Sequence, residues 1–125
     1  IKGIRLDDAG KLIQKAMSLH PNSGYIKDSW GWYLFVRGRV EEAIIELEKA
    51  VQMVPREPTI LQHLADAYLR QNLREKALSQ YNEALRYAKE TQLRKTLEQK
   101  IENLTREMAE SRQKARPRIP AATPN

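Results

Sequence analysis

Alanine returns every 34 residues along this chain, and other small and large residues return in the same register. The alanines form two series, Ala9, Ala43 and Ala77, and Ala16, Ala50 and Ala84. A period of this length in a helix-favouring sequence indicates a stacked array of helix–turn–helix units. Since each unit can bury its apolar face only against a neighbour, we predict an all-α solenoid of stacked antiparallel helix pairs.

The side chains within each period follow a fixed order of small and large residues. One unit contains Trp30, Gly31, Leu34, Ala43, Leu47, Ala50 and Pro55, and the next contains Leu64, Ala65, Tyr68, Ala77, Tyr81 and Ala84. Over about residues 4 to 91 the chain therefore resembles the tetratricopeptide repeat family. We expect the small residues where helix axes approach closely, and the large ones, Trp30 among them, in the core.

The register divides the chain into five segments. They are the second helix of an incomplete repeat (1–23), a full repeat (24–57), a second full repeat (58–91), a long C-terminal capping helix (92–114) and a proline-rich basic tail (115–125). One period before residue 24 lies upstream of Ile1, so we expect a fragment of a longer repeat protein. An incomplete first repeat would leave an apolar face open to self-association.

Local signals for turns and helix starts agree with this register. Gly38 and Asn72 fall between the two helices of the full repeats, where a left-handed backbone is expected. Asp7, Glu41 and Glu75 fall in the first turn of the second helices, where the helix dipole favours negative charge by about 0.3–1 kcal/mol each. Turn signals and register thus predict the same helices.

Segment 92–114 is predicted to be one long amphipathic helix. Its apolar residues recur at spacings of three and four: Leu93, Leu97, Ile101, Leu104 and Met108. Two roles are open for it, a cap over the last repeat, which we favour, or a helix that extends beyond the repeats and pairs with another chain. The tail contains three prolines, and we hypothesise that it lies in a repeat groove as a stand-in for the natural ligand.

Charge and hydropathy argue against two kinds of partner. The net charge is +6, and four of its positive charges follow Glu110 without a negative one: Arg112, Lys114, Arg116 and Arg118. No aromatic residue lies among them and no nucleic-acid motif is present, so nucleic acid is not an expected partner. No apolar run approaches the length of a membrane span. The compartment stays open between the cytoplasm and a bacterial envelope.

The sequence contains no recognisable catalytic or metal-binding constellation. It has two histidines, His20 and His63, and no cysteine, so neither a thiolate nucleophile nor a Cys/His metal site is expected. Its five glycines form no phosphate-binding loop. His63 lies three residues before Asp66, which predicts a solvated polar pair on one helix. We therefore predict a protein that is not an enzyme and has no cofactor.

The family resemblance implies where a partner would bind. In tetratricopeptide repeats the first helix of each repeat lines a concave groove, and the matching positions here include Tyr25, Asp28, Ser29, Trp32, Phe35, Gln62, His63, Asp66, Leu69 and Arg70. Their aromatic rings would hold apolar side chains of a guest, and the two aspartates would meet its Lys or Arg. Two alternatives stay open: Trp32 packs between repeats, and the aspartates are plain surface charges.

Two functions from different classes follow from these observations. The first, which we favour, is a scaffold that binds a peptide or helix of a partner protein in the groove. The second is a structural segment that self-associates through the stack ends and the long C-terminal helix. The runs Asp28–Tyr33 and Leu61–Leu69 are also similar to the C-terminal repeats of large bacterial tetratricopeptide proteins, which favours a bacterial source.

Overall fold

The computed structural model describes residues 6–116, and this part of the chain forms six α-helices. They are α1 (Leu6–Leu19), α2 (Gly24–Val36), α3 (Val40–Met53), α4 (Pro58–Arg70), α5 (Arg74–Tyr87) and α6 (Thr91–Ala115). No residue in the described range belongs to a β-strand. The predicted all-α class is confirmed, whereas the hypothesis that the tail occupies a groove concerns residues 117–125, outside that range.

Consecutive helices pack against each other in chain order. The most extensive contacts join α2 to α3 and α4 to α5, which makes two helical hairpins. The second hairpin packs on the first through α3 and α4, and α1 and α6 pack at the two ends. This arrangement confirms the predicted α-solenoid. The exact residue limits of the repeats remain predictions.

Two residues with positive φ close the turns within the hairpins. Gly38, between α2 and α3, has a φ of 82°, and Asn72, between α4 and α5, has a φ of 62°. Their backbone N–H groups donate to the carbonyl oxygens of Phe35 and Leu69, at 2.9 Å in both turns. The predicted left-handed turns are therefore confirmed at both positions.

Replacing Asn72 by alanine should lower the free energy of unfolding by about 1 kcal/mol, because left-handed backbone is costly for residues other than Gly, Asn and Asp. Replacement by glycine should change it by less than about 0.5 kcal/mol. Urea denaturation followed by circular dichroism measures both. The neighbouring Gln71→Ala serves as the control, since Gln71 is exposed and has a φ of −88°. An equal loss in Gln71→Ala would contradict the role of the backbone angle.

The core between α2 and α3 depends on close approach of the two helices. Ala43 and Leu47 of α3 are fully buried. A Cβ atom on Gly31 of α2 would lie 2.7 Å from Cγ of Leu47, so a side chain at position 31 would clash with it. Trp30 is half-buried and packs against the same core, as predicted for it. Small residues thus set the distance between these helices.

Helix α6 is longer than the others and contributes to the core with only part of its length. It has 25 residues, one more at each end than predicted. Leu97 and Leu104 are buried in the core, and Met108 packs against it. Residues 109–116 are exposed. The N-terminal part of α6 therefore covers the last hairpin, while its C-terminal end projects from the stack.

The other end of the stack exposes part of the apolar face of α1. Leu12 and Leu19 are 60% and 66% exposed, and they lie two helical turns apart on one side of the helix. The acidic residues Asp7, Glu41 and Glu75 lie in the first turns of α1, α3 and α5, as predicted. Self-association through this end stays a prediction.

Candidate partner-binding groove

An open groove of about 490 Å³ lies where residues of α2, α4, α5 and α6 come together. The residues that line it are Phe35, Asp66, Leu69, Arg70, Tyr81, Lys100, Asn103, Leu104 and Glu107. Three of them are apolar and come from three different helices: Phe35 from α2, Leu69 from α4 and Leu104 from α6. Because these residues are distant in sequence, the surface exists only through the stacking of the helices.

A stack of planar side chains supports one wall of the groove and joins α2 to α4. The Trp32 ring stacks on Phe35, with ring centres 4.8 Å apart, and on His63, with ring centres 4.2 Å apart. The guanidinium carbon of Arg70 lies 5.4 Å from the centre of the Phe35 ring. Trp32 therefore packs between the two hairpins, which is one of the two roles predicted for it. Its contact with a guest stays a prediction.

The carboxylate of Asp28 is paired within the chain. Asp28 is only 8% exposed, and its Oδ1 lies 2.8 Å from Nδ1 of His63. An ionised carboxylate only accepts hydrogen bonds, so with Asp28 ionised the donor in this contact is Nδ1 of His63. The prediction of a His63–Asp66 pair is wrong, because His63 pairs with Asp28, and the alternative of Asp28 as a plain surface charge is excluded by its burial. A buried carboxylate needs a donor, and the packing of α2 on α4 provides one.

Asp66 has two partners, both outside its own helix. Tyr81 of α5 donates its hydroxyl to Oδ1 of Asp66, and Nζ of Lys100 on α6 lies 3.1 and 3.2 Å from the two carboxylate oxygens. Burial raises the pKa of Tyr81 well above its usual value of about 10, and the hydrogen bond to Asp66 and the carboxylate charge raise it further. Asp66 thus ties α4 to both α5 and α6.

These pairs change the charge that the groove presents. The two aspartates expected to meet Lys or Arg of a guest, Asp28 and Asp66, both have partners within the chain instead. Sequence reasoning missed this because each partner lies on another helix, 34 or 35 residues further along the chain. The pairing leaves Arg70 and Glu107 as the other charged residues of the groove.

The candidate residues named from the sequence separate into three groups. Phe35, Asp66, Leu69 and Arg70 line the groove, whereas Asp28, Trp32 and His63 form the supporting contacts just described. The remaining three lie outside the groove lining: Tyr25, Ser29 and Gln62. Tyr25 is 58% exposed near the start of α2, and the Ser29 hydroxyl donates to the carbonyl oxygen of Tyr25 on the same helix. A binding role for any of the ten stays a prediction.

Sequence reasoning missed the contribution of α6 to the groove. Lys100, Asn103, Leu104 and Glu107 all line it. The 34-residue register contained the signal, since the first three of these residues follow Asp66, Leu69 and Arg70 by one period. Extending the register beyond residue 91 would have placed α6 as a further groove-lining helix.

Residues 6–116 contain neither a metal-binding cluster nor a membrane-spanning helix. In that range no three His, Cys, Asp or Glu side chains lie close enough together to hold a metal ion. Of the six helices there, none is long and apolar enough to cross a membrane. The predictions that the protein has no catalytic activity and no cofactor stay predictions.

The comparison with protein families matches this architecture. The sequence model described as tetratricopeptide repeat matches residues 34–101, which is more than half of the chain. The chain therefore belongs to the tetratricopeptide repeat family, as its 34-residue register predicted. Repeat arrays of this kind offer extended binding surfaces to other molecules. A general protein-interaction role therefore follows for this chain. No curated protein sequence matches it.

Solved structures with the same fold include a translocator chaperone and a complex with a chaperone binding region. The type III secretion translocator chaperone SycD of Yersinia enterocolitica has a TM-score of 0.77 at 19% identity, over 83% of this chain and 74% of SycD. PcrH, solved in complex with the chaperone binding region of PopD, has a TM-score of 0.75 at 21% identity, over 82% and 80% of the two chains. The Sgt2 domain of Aspergillus fumigatus has a TM-score of 0.77 at 18% identity, over 94% and 78%. At these identities the likeness concerns the fold alone.

Proposed function

We propose that this chain is a non-catalytic interaction module that binds a peptide or helix of a partner protein in the groove. The observation that carries this proposal is the meeting of Phe35, Leu69 and Leu104 in one open groove. Phe35 and Leu69 are half-buried and Leu104 is 2% exposed, so these three form an apolar floor, and charged side chains line the same groove. Such a surface suits the apolar side chains of a guest flanked by polar contacts.

The structural neighbours give independent support. PcrH has this fold and was solved with a segment of another protein, the chaperone binding region of PopD. A stack of this kind can therefore accommodate part of a second chain. The groove volume of about 490 Å³ also falls within the range of about 300–1,000 Å³ typical of ligand sites. A guest would place a few apolar side chains there.

The test uses a random peptide library displayed on a carrier, selected with the wild-type chain. Fluorescence anisotropy then measures the affinity of selected peptides for two groove variants, Phe35→Ala and Asn103→Trp. Each should weaken binding by about 2 kcal/mol, roughly thirty-fold, because one removes an aromatic contact and the other fills the groove. Asn103→Trp removes no core side chain, so it tests the groove even if Phe35→Ala destabilises the fold.

The matched control is Ile45→Ala, which removes an apolar side chain that is 51% exposed and lies outside the groove. It should bind the peptides like wild type. Equal binding by all variants, or no selected peptide, would refute the proposal. If the molecular mass measured by light scattering then rises with protein concentration, self-association becomes the better-supported function. The exposed Leu12 and Leu19 on α1 are the observation that would favour it.

A further inference from the structure

The charges that line the groove are not equally available to a guest. Four charged residues line it: Asp66, Arg70, Lys100 and Glu107. Asp66 and Lys100 form an ion pair, and Asp66 also accepts from Tyr81. Within residues 6–116, neither Arg70 nor Glu107 forms an ion pair. A guest in the groove would therefore meet one uncompensated cation and one uncompensated anion.

Arg70 is placed to bind an anion close to the apolar floor. Its guanidinium carbon lies 5.4 Å from the centre of the Phe35 ring, and in the described part of the chain its side chain donates no hydrogen bond. A guanidinium in a cation–π contact with a ring keeps N–H donors free to bind an acceptor. Arg70 lies in the last turn of α4, where the helix dipole favours a cation. The dipole explains a positive charge at this position, but it does not explain why the guanidinium lies over the Phe35 ring.

Glu107 is the weaker determinant of the two. It is exposed and follows Leu104, the last fully buried residue of α6. A charge at such a rim is screened by solvent and ions, and it affects association rate more than affinity. Arg70 is exposed as well, but it lies over an apolar ring, and its planar fork can bind a carboxylate through two parallel hydrogen bonds. The cation therefore dominates the charge preference of the groove.

We infer that the groove selects a partner segment that carries an Asp or Glu side chain next to its apolar anchor. This inference rests on the function proposed above. Arg70 binds the carboxylate, while the neighbouring apolar side chain contacts the half-buried Phe35 and Leu69. The guest thus bears the opposite charge to the one that Asp28 and Asp66 suggest from the sequence, because both aspartates have partners within the chain.

The experiment uses the peptides selected from the random library by the wild-type chain. The library is joined to its carrier at the C-terminus, so no free terminal carboxylate competes with side chains. Asp and Glu should be enriched over Lys and Arg in the selected set. In a fluorescein-labelled member of that set, replacing the acidic residue by its amide should weaken binding to wild type about tenfold. The same replacement should change binding to Arg70→Gln less than about twofold, since the partner charge is gone.

Arg56→Gln is the matched control, because Arg56 is an exposed arginine that also lies over an aromatic ring, 5.9 Å from the centre of Tyr87, outside the groove. Arg56→Gln should keep the tenfold preference. A selected set without acidic enrichment, or a preference that persists in Arg70→Gln, would overturn the inference. If the peptides lose binding to Asn103→Trp but bind equally well with the acidic residue or its amide, binding in the groove is supported and only the charge preference is refuted. If Asn103→Trp binds the peptides as tightly as wild type does, binding in the groove is itself refuted.

Discussion

Replacing Leu47 by alanine lowers the free energy of unfolding by about 2–5 kcal/mol, the range for leucine truncation in a packed core. Leu47 is fully buried, and its side chain fills the space left by the missing side chain of Gly31. Truncation leaves a cavity between α2 and α3 that the helices close only in part. Small domains have a total stability of about 5–15 kcal/mol, so a loss of this size removes a large share of it.

Urea denaturation of wild type, Leu47→Ala and Ile45→Ala measures this effect. Ile45 lies two residues away on the same helix and is 51% exposed, so its truncation should change stability by less than about 0.5 kcal/mol. Both variants remove aliphatic groups from α3, and they differ in burial. Similar losses in the two variants would show that the α2–α3 contact does not depend on Leu47.

Ending the chain at Lys89, which removes α6, is expected to produce the second large loss of stability. Leu97 and Leu104 of α6 are buried in the core, and burial of a leucine contributes about 1.5–3 kcal/mol. The truncation also removes Lys100 from Asp66 and exposes the side of α5 that packs on α6. We expect a lower melting temperature and aggregation, because a terminal repeat needs a polar outer face.

The control ends the chain at Met108, which keeps every buried residue of α6 and removes its exposed end. This shorter variant should retain the wild-type melting temperature within a few degrees, as measured by circular dichroism. Comparing the two truncated chains separates the contribution to stability of the capping part of α6 from that of its projecting end. If the chain that ends at Lys89 is as stable and as soluble as wild type, α6 is not a cap. If the chain that ends at Met108 is unstable, the projecting end contributes to the fold.

Much of the fold could be predicted because a repeat sets the same local conditions several times. Ala43 and Ala77 are both fully buried, and they occupy equivalent positions on α3 and α5. Gly38 and Asn72 both adopt positive φ, one period apart. A turn depends on its own residues, and a close helix–helix contact depends on small residues at fixed positions of each repeat. Both therefore recur in the sequence with the period of the repeat.

The polar contacts of the groove could be predicted only in part. Phe35, Leu69 and Arg70, three of the residues named from the family pattern, line it, and their role in binding stays a prediction. The pairing of His63 with Asp66 was the wrong inference, because spacing on one helix says nothing about donors on the next. A buried or half-buried carboxylate takes the best-placed donor, and for Asp66 those donors are Tyr81 and Lys100 on two other helices.

The sequence by itself determined the all-α class, the helical hairpins, the turns and the family, since all of these follow from short-range periodicity. Only the tertiary structure decided which charges of the groove are paired within the chain. Asp66 and Arg70 lie four residues apart on α4, yet Asp66 is held by Lys100 while Arg70 lies over Phe35 without an ion pair in the described range. The physical reason is that electrostatic pairing depends on distances of a few ångströms between helices, and those distances are fixed only when the stack forms.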